Sequence, residues 1–192
     1  IEANEAAGKM SALLTVEEGA VCKGEPEKLR ILYEKGVRML TLTWNYPNEL
    51  GYPNLKREKR KESVHAYLCT PETEMGLTAL GREFVEEMER LGMIPDVSHL
   101  SDAGFYDVLE TTHKPFVASH SDARAVCPCA RNMTDDMIRR LGERGGCMGL
   151  NFCTDFLELL PEGKENPGTM EAAVRHVSHI VKTGGIEVLG LG

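Results

Sequence analysis

Apolar residues gather in six short runs along the chain, at positions 12–16, 39–43, 93–97, 116–119, 147–151 and 188–191, each rich in Val, Leu, Ile or Met. Runs of this length with little alternation fit strands buried on both faces, as in a parallel sheet. Between the runs the spacing becomes helical. Residues 26–35 carry Leu29, Leu32 and Tyr33 and close at Gly36; residues 78–91 carry Leu80, Phe84, Val85, Met88 and Leu91 and close at Gly92. Residues 134–144 open on Thr-Asp-Asp, a good cap and first turn, and close at Gly145-Gly146. Residues 169–183 carry Ala173, Val174, Val177, Ile180 and Val181 ahead of Gly184-Gly185. Each stretch has an apolar stripe with start and stop signals. A shorter helix is expected over 102–110.

The order is therefore β-α-β, a long insert over 45–76, then β-α-β-α-β-α-β. Strict alternation predicts an α/β fold with a parallel sheet, doubly wound or closed as a (β/α) barrel. Residues 1–192 read as one domain, without a linker or a repeat beyond the βα period. The insert holds Pro47, Pro53, Pro71 and the run "KREKRKE", which reads as a solvated loop.

The ends of the strands carry the chemistry. The first run ends in Glu17-Glu18-Gly19, the second in Thr43-Trp44-Asn45, the third in Ser98-His99, the fourth in Ser119-His120 and the fifth in Asn151-Phe152. Barrel enzymes gather their catalytic groups at this end. Two histidines and a glutamate presented there can converge, and imidazole nitrogen with carboxylate oxygen suits zinc and similar divalent ions. His176 and His179 in "HVSHI" share a helix face, but that helix is expected to pack outside the sheet, so both read as structural.

Composition narrows the partners. A net charge of −8 and a pI near 5.3 argue against nucleic acid. With 42% hydrophobic and 27% charged residues the chain reads as a soluble globular protein. No apolar run approaches the ~20 residues of a membrane helix. The start "IEANEAAGKM" is polar, resembles no signal peptide and lacks an initiator Met. The six cysteines show no C-x-x-C spacing, and Cys127-Pro128-Cys129 is too tight for a zinc knuckle; they read as reduced thiols of a cytoplasmic protein.

The segments "LLTVEEG", "GVRMLTLTWNYPNELG", "GLTALGREFVEEMERLGMIPDVSHLSD", "PFVASHSDARAVCPCARNMTDD" and "GGCMGLNF", in this order, resemble the renal (membrane) dipeptidase family, in its bacterial-type zinc form. The resemblance implies a (β/α)8 TIM-barrel metallohydrolase. This chain would hold about six βα units of it, without the first and last strands. It implies hydrolysis of dipeptides, often with a C-terminal D-residue, by a hydroxide bridging two zinc ions. Matched by motif, Glu17 corresponds to the bridging carboxylate, His99 and His120 to ligands of the second zinc, and Arg131 to the arginine that binds the substrate carboxylate. An arginine suits that task because its planar fork pairs with a carboxylate in two parallel bonds. Trp44 stands where some relatives have a substrate-facing histidine.

The family's His-x-Asp pair for the first zinc has no counterpart here, and its acid–base aspartate is expected just after Gly192. The chain is thus expected to be a central fragment, inactive alone, with two open sheet edges that invite pairing with a second copy. Three readings stay open: the dipeptidase; an amidohydrolase-type barrel acting on cyclic amides; and a metal-poor barrel that only binds small peptides. Zinc content and dipeptide cleavage separate them. Arg131 also has a bland alternative, a surface arginine paired with Asp135 or Asp136, and the ligand at the first strand lies at Glu17 with Glu18 one residue away.

Overall fold

A computed structural model of the chain describes residues 1–161 and 163–192. Six strands form one parallel sheet whose order follows the chain: β1 (Leu14–Glu17), β2 (Val37–Thr41), β3 (Ile94–Asp96), β4 (Val117–Ala118), β5 (Cys147–Leu150) and β6 (Leu189–Leu191). Every neighbouring pair is parallel, with Glu17 opposite Thr41, Thr41 opposite Asp96 and Asp96 opposite Val117. The sheet is an open segment of a (β/α) barrel, with β1 and β6 as its edges. Leu14 and Leu191 are exposed there.

Eight helices accompany the strands among the described residues: α1 (Glu2–Ala6), α2 (Pro26–Glu34), α3 (Val64–Cys69), α4 (Ala79–Leu91), α5 (Asp102–Thr111), α6 (Asp135–Glu143), α7 (Thr154–Leu157) and α8 (Met170–Gly184). The predicted caps form. Thr78 and Thr134 accept from the amides of Gly81 and Met137, and Gly92 turns left-handed at φ 77° to end α4. The apolar stripes are the buried ones: Phe84, Val85 and Met88 on α4, Met137, Ile138 and Leu141 on α6, Ile180 on α8. Fully burying one such side chain stabilises the fold by about 1.5–3 kcal/mol.

All six expected strands are present, with each end within two residues of its expected place. β2 starts and stops two residues earlier than its apolar run. Three helices lie outside the sequence expectation. α1 and α7 are short, and α3 sits inside the insert, where Ser63 caps it by accepting from the Ala66 amide. The "KREKRKE" run is largely exposed, and Arg57–Lys61 winds into a 3-10 turn. At β5, Gly149 admits the neighbouring strand: a Cβ there would stand 2.1 Å from the Ser119 carbonyl oxygen.

Candidate metal centre at the strand ends

Glu17 is the last residue of β1, His99 follows β3 by three residues and His120 follows β4 by two. The parallel register brings all three to the same end of the sheet. His99 Nε2 lies 3.2 Å and His120 Nε2 3.4 Å from Glu17 Oε1, and the two Nε2 atoms are 2.8 Å apart. Glu18, the neighbouring alternative, turns away. It sits at φ 88°, and its carboxylate accepts from Asn48 Nδ2 at 2.7 Å and from the Ala20 amide.

The hydrogen bonds of the rings assign their protons. His99 Nδ1 lies 3.1 Å from Asn45 Oδ1, so it carries the hydrogen and donates it. Ser119 Oγ donates to Asp96 Oδ2 at 2.6 Å, which leaves it to accept from His120 Nδ1 at 2.8 Å. Both Nε2 atoms are therefore bare lone pairs facing each other and a carboxylate oxygen. Burial lowers both histidine pKa values, that of His99 to about 2, so the rings stay neutral. Three lone pairs at this separation repel unless a cation or proton stands between them. A tetrahedral ion with ligands about 2.0–2.1 Å away sets its donors about 3.3 Å apart, close to the spacing observed. The donor set fits a divalent ion.

Beneath the histidines lies Asp96, fully buried. Its Oδ2 accepts from Thr41 Oγ1 and Ser119 Oγ, both at 2.6 Å; its Oδ1 accepts from the amides of Ser98 at 3.0 Å and Ser119 at 2.9 Å. Four donors offset the cost of burying the charge. Ser98 Oγ in turn accepts from the His120 amide at 2.9 Å. The serine of each Ser-His pair thus belongs to a network that ties β3 to β4, and its histidine stands above. Asp96 was not singled out in the sequence, and Asn45 was named there only as a strand-end residue. The one available signal was a carboxylate inside the apolar run "MIPDV".

Trp44 stands at the mouth, partly exposed, its ring centroid 6.3 Å from that of His99. Arg131 is buried, 2% exposed, rather than a surface partner of Asp135 or Asp136. Its Nη2 points to the His120 carbonyl at 3.4 Å, and its guanidinium carbon lies 5.2 Å from the Phe156 ring. Burial draws its pKa down to about 10, which leaves it charged at neutral pH. Its Nε and Nη1 have no hydrogen-bond partner among the described residues. His176 and His179 serve the packing of α8. His176 accepts from the Ala123 amide and donates to the Leu157 carbonyl, and His179 Nε2 pairs with Asp135 Oδ1 at 2.7 Å.

Known proteins resemble this chain in sequence and fold. The family model for membrane dipeptidases, peptidase family M19, matches residues 1–192. An uncharacterised dipeptidase of Schizosaccharomyces pombe is 35% identical over 185 residues, covering 96% of this chain and 41% of its own length. An uncharacterised protein encoded in the pqqA 5′ region of Klebsiella pneumoniae is 33% identical over 187 residues, covering 96% of this chain and 65% of its own. A crystal structure of a metallopeptidase from Rhodobacter sphaeroides, liganded with a phosphinate mimic of L-Ala-D-Ala, superposes with a TM-score of 0.81 at 30% identity. It covers 97% of this chain and 50% of that one. The chain thus spans roughly half the length of the relatives it matches, from 41% to 65% for the curated ones. On the match over its whole length, the chain belongs to the membrane dipeptidase family, peptidase family M19.

Proposed function

We propose that this chain carries the second-metal half-site and the substrate-carboxylate site of a zinc-dependent dipeptidase. The observation that carries the reading is the convergence of three donor atoms, Glu17 Oε1, His99 Nε2 and His120 Nε2, at 2.8–3.4 Å from one another. Nitrogen and carboxylate donors in this geometry favour zinc. Glu17, on an edge strand and half-exposed, is free to bridge to a second ion. When bound, the metal polarises the scissile carbonyl and acidifies the attacking water.

The chain's own residues do the rest. Arg131 binds the C-terminal carboxylate of the substrate through its guanidinium, where Nη1 is unpartnered among the described residues, and this restricts the enzyme to short peptides. Trp44 forms one wall of the mouth beside His99. A C-terminal D-residue is the expected preference, in keeping with the ligand of the Rhodobacter sphaeroides relative. Elemental analysis of full-length protein purified without chelator, beside His99→Ala and His120→Ala, tests the metal. Zinc present in the wild type and lost in both variants is the expected result. Cleavage of a free dipeptide, with no cleavage of the same dipeptide amidated at its C-terminus, tests the role of Arg131. Metal-free wild type, or equal cleavage of both peptides, overturns the reading.

A further inference from the structure

Behind the metal ligands, between the insert and the loop that bears Arg131, lies a small cavity of about 20 Å³. Its polar lining is unusual. Asp102 and Arg124 satisfy each other in a two-pronged pair at 2.6 and 2.7 Å. Asn54, Arg131 and Asn132 do not satisfy theirs. Among the described residues, Asn54 Oδ1, Asn132 Oδ1, Arg131 Nε and Arg131 Nη1 are all buried without a partner, and all belong to residues lining this cavity. The Asn132 amide is fixed in orientation, because its Nδ2 donates to the carbonyls of Cys127 at 3.0 Å and Phe156 at 2.8 Å. Its Oδ1 is therefore a true acceptor.

We infer that the cavity binds one ordered water that accepts from Arg131 Nε and donates to Asn54 Oδ1 and Asn132 Oδ1. The volume suits a single molecule, since a water needs about 10–15 Å³. The chemistry suits no simple ion: two amide oxygens repel an anion, and a buried guanidinium repels a cation. Water meets three of the four orphaned atoms and leaves Nη1 unpartnered among the described residues. Asn54 is anchored for the task, its amide donating to the His99 carbonyl at 2.7 Å and its carbonyl accepting from Glu72. The water thus ties the insert to the guanidinium and fixes the plane in which Arg131 meets a carboxylate. Asn54 and Asn132 are positioning residues. Their role rests on the reading of Arg131 as the substrate-carboxylate residue.

Two measurements on the full-length enzyme test this. A high-resolution crystal structure should show a water within about 2.7–3.2 Å of Arg131 Nε and both amide oxygens. Asn54→Leu, close in shape but apolar, should expel it; Asn54→Asp should retain it. In kinetics, Asn54→Leu should raise KM for dipeptides about tenfold with kcat within about twofold, as expected for loss of one ordered bridging water. Asn54→Asp should restore KM, and both variants should melt as folded proteins. An empty cavity in the wild type, or an unchanged KM in folded Asn54→Leu, overturns the inference. Wild-type enzyme that cleaves no dipeptide would sink the functional reading instead, and the crystallographic result would still decide the water.

Discussion

His99 and His120 occupy equivalent places. Each follows a serine at the end of a parallel strand and offers Nε2 to the same point. Their supports differ. His99 stands at φ 70°, a left-handed backbone that side chains rarely adopt, and a single loop amide, Asn45, orients its ring. His120 has an ordinary backbone and a relay beneath it, Nδ1 to Ser119 to the buried carboxylate of Asp96. One histidine is aimed by a strained turn and held loosely from the side; the other is held from below by a charge. A repeated motif in sequence does not mean a repeated device in structure. The carboxylate serves both sides, since it also accepts from the Ser98 amide that leads into His99.

The sharpest way to break the comparison is to remove the shared part. Asp96→Ala leaves four donors unpaired, two of them buried, and should lower stability by about 3 kcal/mol or more, measured by denaturant titration. Metal binding should be lost with it; a variant of wild-type stability would show that the network is not holding β3 to β4. Next come the separate supports. Ser119→Ala cuts the relay under His120, and Asn45→Ala frees the ring of His99. Each should weaken metal binding about 10–100-fold by competition with a chelator, with Ser119→Ala the more severe. The reverse order would mean that the loop amide matters more than the buried charge.

The smallest effect is one of pH, and it belongs to the His120 side alone. Asp122, two residues on, is buried with Oδ1 accepting from the Asn151 amide and Oδ2 unpartnered among the described residues. Burial raises its pKa to about 7. The folded state then holds a proton that the unfolded chain, titrating at about 3.9, has already released. This contribution to stability is complete below pH 4 and fades as pH rises to about 7. Asp122→Asn should therefore gain on the wild type across that window, seen as a melting-temperature difference that grows from acid to neutral pH. A constant difference would show that Asp122 ionises normally in the fold.

Much of this was legible in the sequence. A strand buried on both faces leaves an apolar run, and a capped amphipathic helix leaves a Thr or Ser, a stripe and a glycine; both signals are local. The clustering of Glu17, His99 and His120 was legible too, because a polar residue directly after such a run must emerge at the sheet's end. The supports were not. Asp96 looks like a turn residue in "IPDVSH", and only the register that sets it beside Val117 brings Ser119, 23 residues away, to its carboxylate. Asn45 meets His99 across 54 residues, and nothing in the insert announces that. The burial of Arg131 is equally non-local, because Phe156, from another segment, packs against its guanidinium. Helix α3 was hidden by the charge run before it, although Ser63 was a fair cap.

The sheet's order has a consequence for how the protein comes into being. Each strand pairs with the one made just before it, so no strand waits for a partner made later than its next neighbour. Long-range pairing is the slow step in sheet formation, and chains emerge from synthesis N-terminal end first. Glu17, His99 and His120 are all in hand once β4 is laid down, with β5 and β6 still to come. A nascent chain of this design therefore brings its three candidate ligands together before its sheet is finished, with β1, β3 and β4 meeting at one cluster while the later strands are still to be added.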